Sequence, residues 1–585
     1  MSKTTAEVTK ARNAQIRAKK AAKGKAAAPV AAVPATPATP APAPGPRQPT
    51  LSVPPELLAA VPAPWRLRAL QSDTLVRTYN ALNHPANKFV VLEAPPGIGK
   101  TLVSVTLGRL FSPAAITTAT VQLQEQYLED FSSSGMKVLK GRKNFRCARA
   151  HDSCQVGALL KLGCGQDGEA LCPYKQAKQE ALDSSILTAN YHSFWRHMGK
   201  AKGGEENEAG EISARRQLLV CDEAHSIEGT VLSLAEVTLR LSDIPVTMPL
   251  LPTSETDPEP YYQWLKDAEP KLTELADTLY KEGNFNDEAK VSELIGRIHL
   301  VQHSRRAAAK GQPDMRTKYI VERSRMENGQ LDENWFSLKP LHVRNLAGQI
   351  WRGFPKVLFM SATILNAWEF CTALGLNPDE GEFVQVTESF PPENRPIQLG
   401  QLDMSYAARD ESWPAMIQMI AGLMRHHDTH KGLILCNSNV MLKYVMKELG
   451  KVDRGLRDRL IPAFGDDRIE KYNEHIRAKF PSVLIASGYW EGADLKDDTA
   501  RFCVVPSLPR AMFTGQIKAR AQMEPRWYRW LTMTKAIQGL GRTVRSETDE
   551  SCIYILDREF RREMESRDSM VPDWVRVAVK QSAGG

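Results

Sequence analysis

No run of about 18 apolar residues occurs in this 585-residue chain, so no helix of it is expected to span a bilayer. A secretory start is lacking too, with no charged head, apolar middle and small-residue cleavage site, and the nine cysteines are an odd number. A disulfide scaffold is therefore excluded as an expectation, and a reducing, cytoplasmic compartment fits best. Net charge is missing from most of the chain. Residues 1–50 hold nine basic residues and one acid, which is the whole formal charge of +8, and past residue 50 there are 67 basic residues against 67 acidic ones. Charge balance thus gives no argument that the folded body binds nucleic acid, although a local basic groove would escape such a count.

What is present begins with a tail. Residues 1–28 are rich in Lys and Ala, and residues 29–49 (PVAAVPATPATPAPAPGPRQP) alternate Pro with Ala and Thr. That composition favours an extended, solvated tether without enough apolar surface to fold. Its plainest role is solubilising; any attraction to phosphates would be nonspecific and lost in salt.

Beyond the tail, short runs rich in Val and Ile alternate with helical patterns. FVVLEA (89–94), AAITTAT (114–120), SSILTAN (184–190), QLLVCD (217–222) and KVLFMSAT (356–363) read as buried parallel strands, as do GLILCNS (432–438), SVLIASG (482–488), RFCVVPS (501–507) and SCIYILD (551–557). An α/β protein of two parallel-sheet lobes is implied. The first set is too spread out for one lobe, and the surplus falls in two blocks that read as insertions. The expected division is a tail over 1–50, a first lobe from 51–127, 184–234 and 351–375, insertions over 128–183 and 235–350, and a second lobe over 376–585. The second insertion shows helical periodicity and no strand runs.

The stretch FVVLEAPPGIGKTLVSVTLGRLF (89–111) is a strand, a Gly-rich turn and a helix opening at Lys100. Ala94, Pro95, Pro96, Gly97, Ile98 and Gly99 would form a loop whose backbone N–H groups cradle phosphates. Lys100 would reach the terminal phosphate oxygens and Thr101 would hold Mg²⁺. Ala94 stands where such loops usually carry Gly. At the end of QLLVCD, Asp222 and Glu223 put two adjacent carboxylates at the mouth of the sheet, Asp222 for the metal shell and Glu223 for the attacking water. In the second lobe, Gln538, Arg542 and Arg545 fall at i, i+4 and i+7 and are expected on one helix face, where arginines could meet charge developing on a nucleotide. ATP held between lobes would convert hydrolysis into relative motion.

The set APPGIGKT (94–101), TATVQLQEQ (118–126), LKGRKNFRC (139–147), CPY (172–174), ANYHSF (189–194), DEAH (222–225), MSATIL (360–365), GYWEGADL (488–495) and QGLGRTVRS (538–546) resembles the XPD/DinG group of superfamily 2 helicases, in that group's order. The resemblance implies two RecA-like lobes with an iron–sulfur insertion and a helical arch on the first. It also implies ATP-dependent 5′→3′ movement on single-stranded DNA with unwinding of tailed or branched duplex; separately, the chain is expected to act as a monomer. Gln71 then matches a nucleotide-side glutamine, Ser361 and Thr363 a coupling motif, and Glu491 and Asp494 the motif after a second-lobe strand. Residues 1–64 leave no room for an exonuclease domain of the kind some relatives carry.

Thr120, Tyr191, Ser438 and Trp490 lie near strand ends or motifs and are candidates for holding the tracked strand. Five cysteines, Cys221, Cys371, Cys436, Cys503 and Cys552, sit singly among apolar residues and read as core. Cys147, Cys154, Cys164 and Cys172 share one stretch with gaps of six, nine and seven residues. Structural zinc usually shows a closer pair, so zinc with His151, or no metal, are alternatives to the [4Fe–4S] cluster that the resemblance implies. Two other functions stay open from sequence: an ATP-gated nucleic-acid-binding recruitment platform without unwinding, and a helicase directed at RNA.

Overall fold

Apolar runs bounded by turn-formers become strands where both faces can be covered, and all nine such runs do so here. In chain order the strands are β1 (Phe89–Glu93), β2 (Ala114–Thr118), β3 (Met136–Val138), β4 (Ile186–Asn190) and β5 (Leu218–Asp222). There follow β6 (Val237–Arg240), β7 (Tyr319–Arg325), β8 (Leu331–Pro340), β9 (Lys356–Ser361) and β10 (Gly381–Gln385). The last six are β11 (Ile397–Leu402), β12 (Gly432–Cys436), β13 (Leu460–Ala463), β14 (Val483–Ser487), β15 (Phe502–Val505) and β16 (Cys552–Asp557). This computed structural model describes residues 50–147, 154, 172–198, 212–213, 215–244, 246–306, 317–326, 328–348, 350–386, 390–488, 495–544, 546 and 548–582. All of these belong to one compact unit.

Two wholly parallel sheets result. The first has the order β10-β1-β9-β5-β2-β4-β3 and the second β11-β16-β15-β12-β14-β13. β1, β2, β5 and β12 are buried along their whole length because helices cover both faces, which is why they read as unbroken apolar runs. Strand β10 pairs with β1 from Phe89↔Gly381 to Glu93↔Gln385, so the first sheet reaches past residue 375, where the sequence places the change of lobe. Gly381 is obligatory in that pairing: a Cβ there would come within 2.2 Å of the Phe89 ring.

The block over 235–350 differs from the expectation of helices without strands. Helices Glu259–Lys281 and Phe285–Arg306 do pack on each other, but they sit on an antiparallel sheet of order β6-β8-β7. Only alternate residues of β7 are buried, Tyr319 and Val321, and charged side chains between them hide the strand from a search for apolar runs. Tyr261, Trp264, Leu272, Phe336 and Leu338 close a separate core there. Of the five scattered cysteines, four are core residues as expected, and Cys552 is half-buried.

Candidate active site

The phosphate loop follows β1 directly. Gly97 and Gly99 take φ of 80° and 92°, the left-handed region that favours glycine, and the helix Lys100–Leu110 starts from Gly99. A Cβ on Gly99 would fall 2.0 Å from Gln71 Nε2. Gln71 is thus pressed against the loop. Ala94 needs no positive φ: it prolongs β1, its N–H donating to the Ser361 carbonyl at 3.0 Å, which explains why alanine serves at this position. Lys100 Nζ donates to the Ala94 carbonyl at 3.0 Å, folding back across the loop. One residue missed by sequence reasoning completes the cradle. Arg68 donates to the carbonyls of Gly97 (2.7 Å) and Ile98 (2.9 Å), and its own N–H donates to Gln71 Oε1 at 2.8 Å. Its only signal was its place three residues before Gln71.

Asp222 ends β5 beside this loop and is buried. Its carboxylate accepts from Tyr127 Oη at 2.8 Å and from the Glu223 N–H at 2.9 Å. Burial, and then the adjacent Glu223 charge, push the Asp222 carboxyl up to about 6, against which the Lys100 charge acts. A metal ion supplies the opposite charge that would settle such a carboxylate, so the donor set fits Mg²⁺ held by Asp222 with Thr101. Glu223 has φ 52°, left-handed in a residue that pays for it, on the order of 1 kcal/mol. Its half-exposed carboxylate lies 3.4 Å from His225 Nδ1, and Ser226 ties the turn by donating to the Glu223 carbonyl (2.9 Å from N, 2.8 Å from Oγ).

His225, two residues on, joins the lobes. Gln538 Nε2 lies 2.5 Å from His225 Nε2, and His225 Nδ1 lies 2.8 Å from Ser361 Oγ. With the amide –NH2 donating to Nε2, Nδ1 is the protonated nitrogen and faces both Ser361 Oγ and the Glu223 carboxylate. Ser361 Oγ also accepts from the Thr363 N–H at 3.1 Å. The segment Ser361–Thr363 is therefore tied to the turn after Asp222 and, through His225, to the second lobe. Glu93, another residue that sequence reasoning passed over, holds the same segment from below: it accepts from the Leu365 N–H (2.7 Å) and Gln385 Nε2 (2.9 Å).

One expectation about the second lobe is corrected. The helix Pro525–Leu540 stops after Gln538, with the Gly541 N–H bonded back to the Gln538 carbonyl, so Gln538 and Arg542 do not share a helical face. The turn brings Arg542 in differently. A Cβ on Gly541 would lie 2.9 Å from Pro96 Cγ, so the residue before Arg542 touches the phosphate loop itself. Arg545, Glu491, Asp494 and Trp490 lie outside the described residues. At its other end the helix joins a charge network through Trp527: Arg520, on the preceding helix Gly515–Met523, meets Glu228 through Nη2 at 2.5 Å, Trp527 Nε1 donates to Glu228 at 2.9 Å, and Arg520 stacks 3.8 Å from the Trp527 ring centre. Between the two ends, Trp530 Nε1 donates to the Ile364 carbonyl at 2.7 Å.

The strand-holding candidates divide. Thr120 and Ser438 each cap a helix that follows a sheet strand, accepting from the N–H of Leu123 and Met441, and both retain exposure at the carboxyl ends of β2 and β12. Tyr191 is removed from that role: it is fully buried, with its hydroxyl donating to the Asp222 carbonyl at 2.8 Å, so no base can stack on it. Among the four grouped cysteines, Cys154 and Cys172 place their sulfurs 4.0 Å apart, and Cys147 is close enough for its charge to raise Cys154. Burial, followed by Cys172, pushes the Cys154 thiol up to about 12. Cys164 lies outside the described residues. No group of three or more metal-ligating side chains converges among the described residues.

Residues 421–578 match the model of a helicase C-terminal domain, and residues 65–242 match that of the type III restriction enzyme res subunit. A curated relative is the ATP-dependent DNA helicase YoaA of Haemophilus influenzae, 21% identical over 84% of this chain and 91% of that protein. Among solved structures, an XPD helicase superposes with a TM-score of 0.57 at 14% identity, covering 85% of this chain and 96% of its own. Xpd4 of S. tokodaii does so with a TM-score of 0.50 at 16% identity, over 85% and 97%. The chain has the XPD-type two-lobe fold. No described helix is long and apolar enough to cross a membrane.

Proposed function

We infer that this chain, an XPD/DinG-like superfamily 2 helicase in fold and motif order, is an ATP-dependent DNA helicase that moves 5′→3′ on single-stranded DNA and opens tailed or branched duplex. The observation that carries the reading is the joint Gln538–His225–Ser361 beside the Gly541–Pro96 contact, since it makes one cleft from the ATPase residues of both lobes. A triphosphate gripped by Lys100 has Arg542 brought to the same loop by the second lobe, where a guanidinium can meet charge developing on the transferring phosphoryl group. Mg²⁺, when bound by Thr101 and Asp222, neutralises phosphate charge. Glu223 orients and takes a proton from the attacking water. Loss of the terminal phosphate then acts on His225, and through it on Ser361 and Gln538 together, so that hydrolysis changes the lobe seam. Arg545, Glu491 and Asp494 complete the nucleotide shell in this reading.

The tracked strand would cross the carboxyl ends of β2 and β12, where the capped helix starts at Thr120 and Ser438 offer backbone N–H groups to phosphates without reading sequence. The 4.0 Å approach of the Cys154 and Cys172 sulfurs, with the motif resemblance, supports an iron–sulfur cluster held by Cys147, Cys154, Cys164 and Cys172, pinning an insertion of little apolar content. Strand separation on tailed duplexes of each polarity, with ATP and anaerobically purified protein whose iron is assayed, tests substrate, direction and cluster together. Lys100→Ala abolishes DNA-stimulated hydrolysis and unwinding. Strand displacement that persists in Glu223→Gln, with nucleotide still bound, overturns hydrolysis as the driver.

A further inference from the structure

We propose that a basic pocket with an apolar floor, at the free edge of the second sheet, is a docking site for an acidic peptide segment carrying a hydrophobic anchor. The pocket, about 720 Å³, is lined by Lys443, Met446 and Lys447 of the helix Asn439–Val452, by Arg454 and Arg457 of the next helix, and by Phe464 just after β13. The first three lie on one helix face with Gly450, at spacings of three and four residues. Gly450 matters because a Cβ there would come 2.7 Å from Arg457 Cδ; its absence lets the Arg457 stem lie across the helix.

The charges of this pocket are not neutralised from within. All four cations are exposed, and Lys447 and Arg454 have no acidic partner among the described residues. The neighbouring acids are committed elsewhere. Glu448 holds Lys451 at 2.7 Å, Asp453 holds Arg425 at 3.3 Å while capping the Gly455 N–H, and Asp458 comes no nearer than 3.9 Å to Arg457. The floor is apolar, made by Met446, Pro462 and Phe464, with the Lys443 ammonium 5.7 Å from the Phe464 ring centre. A ring of cations over an apolar base complements carboxylates flanking a Leu or Phe side chain. Two features favour a peptide bound by its side chains. β13 is the last strand of its sheet, and Pro462 within it lacks an N–H, which disfavours strand addition there. The one aromatic face is shared with Lys443 rather than open for a base, unlike the stacking platforms on which single strands are held. None of the lining residues belongs to the nucleotide cleft, so the pocket can be occupied while the motor turns over.

The test uses the full chain and a fluorescein-labelled peptide of Asp and Glu around a central Leu-Phe pair, read by anisotropy at low and moderate salt. Expected are saturable binding that weakens with salt, and a loss of about tenfold or more in the paired variant Lys447→Glu, Arg454→Glu, with ATP hydrolysis unchanged as the control for folding. Replacing the Leu-Phe pair by Gly-Gly weakens the native complex as well. Absence of saturable binding, or equal binding by the charge-reversed variant, overturns the proposal. So does loss of single-stranded oligothymidylate binding in that variant while the peptide still binds, which would give the pocket to nucleic acid.

Discussion

The helix Pro525–Leu540 meets the first lobe at both ends by different means. At its start the joint is a charge network sealed from water, in which Arg520 and Glu228 are both buried and Trp527 supplies a further donor. At its finish a single amide reaches a histidine and a glycine turn rests on the phosphate loop. Breaking a buried pair leaves an uncompensated charge, so that end resists parting. A neutral amide–imidazole hydrogen bond strands no charge when it parts, so that end separates at lower cost than the ion pair although the His225 ring and Gln538 are both buried. A strut fixed at one end and switchable at the other is what a two-lobe motor needs.

The comparison can be broken most severely at the sealed end. Arg520→Ala strands Glu228 in the interior and is expected to cost about 3–5 kcal/mol in chemical denaturation. Pairing Arg520→Met with Glu228→Met should restore most of that stability. At the switchable end the larger effect is on turnover: Gln538→Ala lowers kcat for ATP about 10- to 100-fold while stability falls by about 1–3 kcal/mol, less than at the sealed end. A Gln538→Ala variant with native kcat would show that the bridge to His225 is structural only.

A third experiment sharpens the contrast through pH. The unfolded chain ionises Asp222 near its ordinary value of 3.8, whereas in the folded protein burial and Glu223 hold it protonated to about 6. Its folded pKa is raised, so this carboxyl lowers stability progressively as pH climbs from about 4 to about 6, with a constant penalty above. Without nucleotide or metal, Asp222→Asn should therefore match the native unfolding free energy at pH 4 and exceed it at pH 7, by on the order of 1–3 kcal/mol, while losing hydrolysis. The smallest expected effect is at the loop contact: Gly541→Ala places a methyl against Pro96 and raises KM for ATP a few-fold with little change in kcat.

Much of this was legible beforehand, and what was not has a common cause. The nine strands read from apolar runs are interior strands of the two sheets, buried on both faces. The four that escaped, β3, β10, β11 and β13, are the four edges, where one flank meets solvent and the run of apolar residues is interrupted. The antiparallel sheet over β6–β8 escaped for the same reason. Tyr191 shows the converse error: an aromatic beside a motif suggested a surface role, yet the ring packs behind Asp222. Tyr127, within a helix, and Arg68, capping one, serve the site with little sign of it in the sequence, since their partners are a carboxylate and two carbonyls brought there by the fold.

Local chemistry was decided by sequence alone. A glycine at Gly99, a lysine opening the next helix and a pair of carboxylates ending a buried strand can each be recognised because backbone freedom, side-chain reach and apolar continuity act over a few residues. The seam was decided only by tertiary structure. His225 and Gln538 are 313 positions apart, and Glu228 and Arg520 are 292 apart; no local rule ties such residues together. Their meeting depends on where the helices Gly515–Met523 and Pro525–Leu540 start and stop against the first lobe.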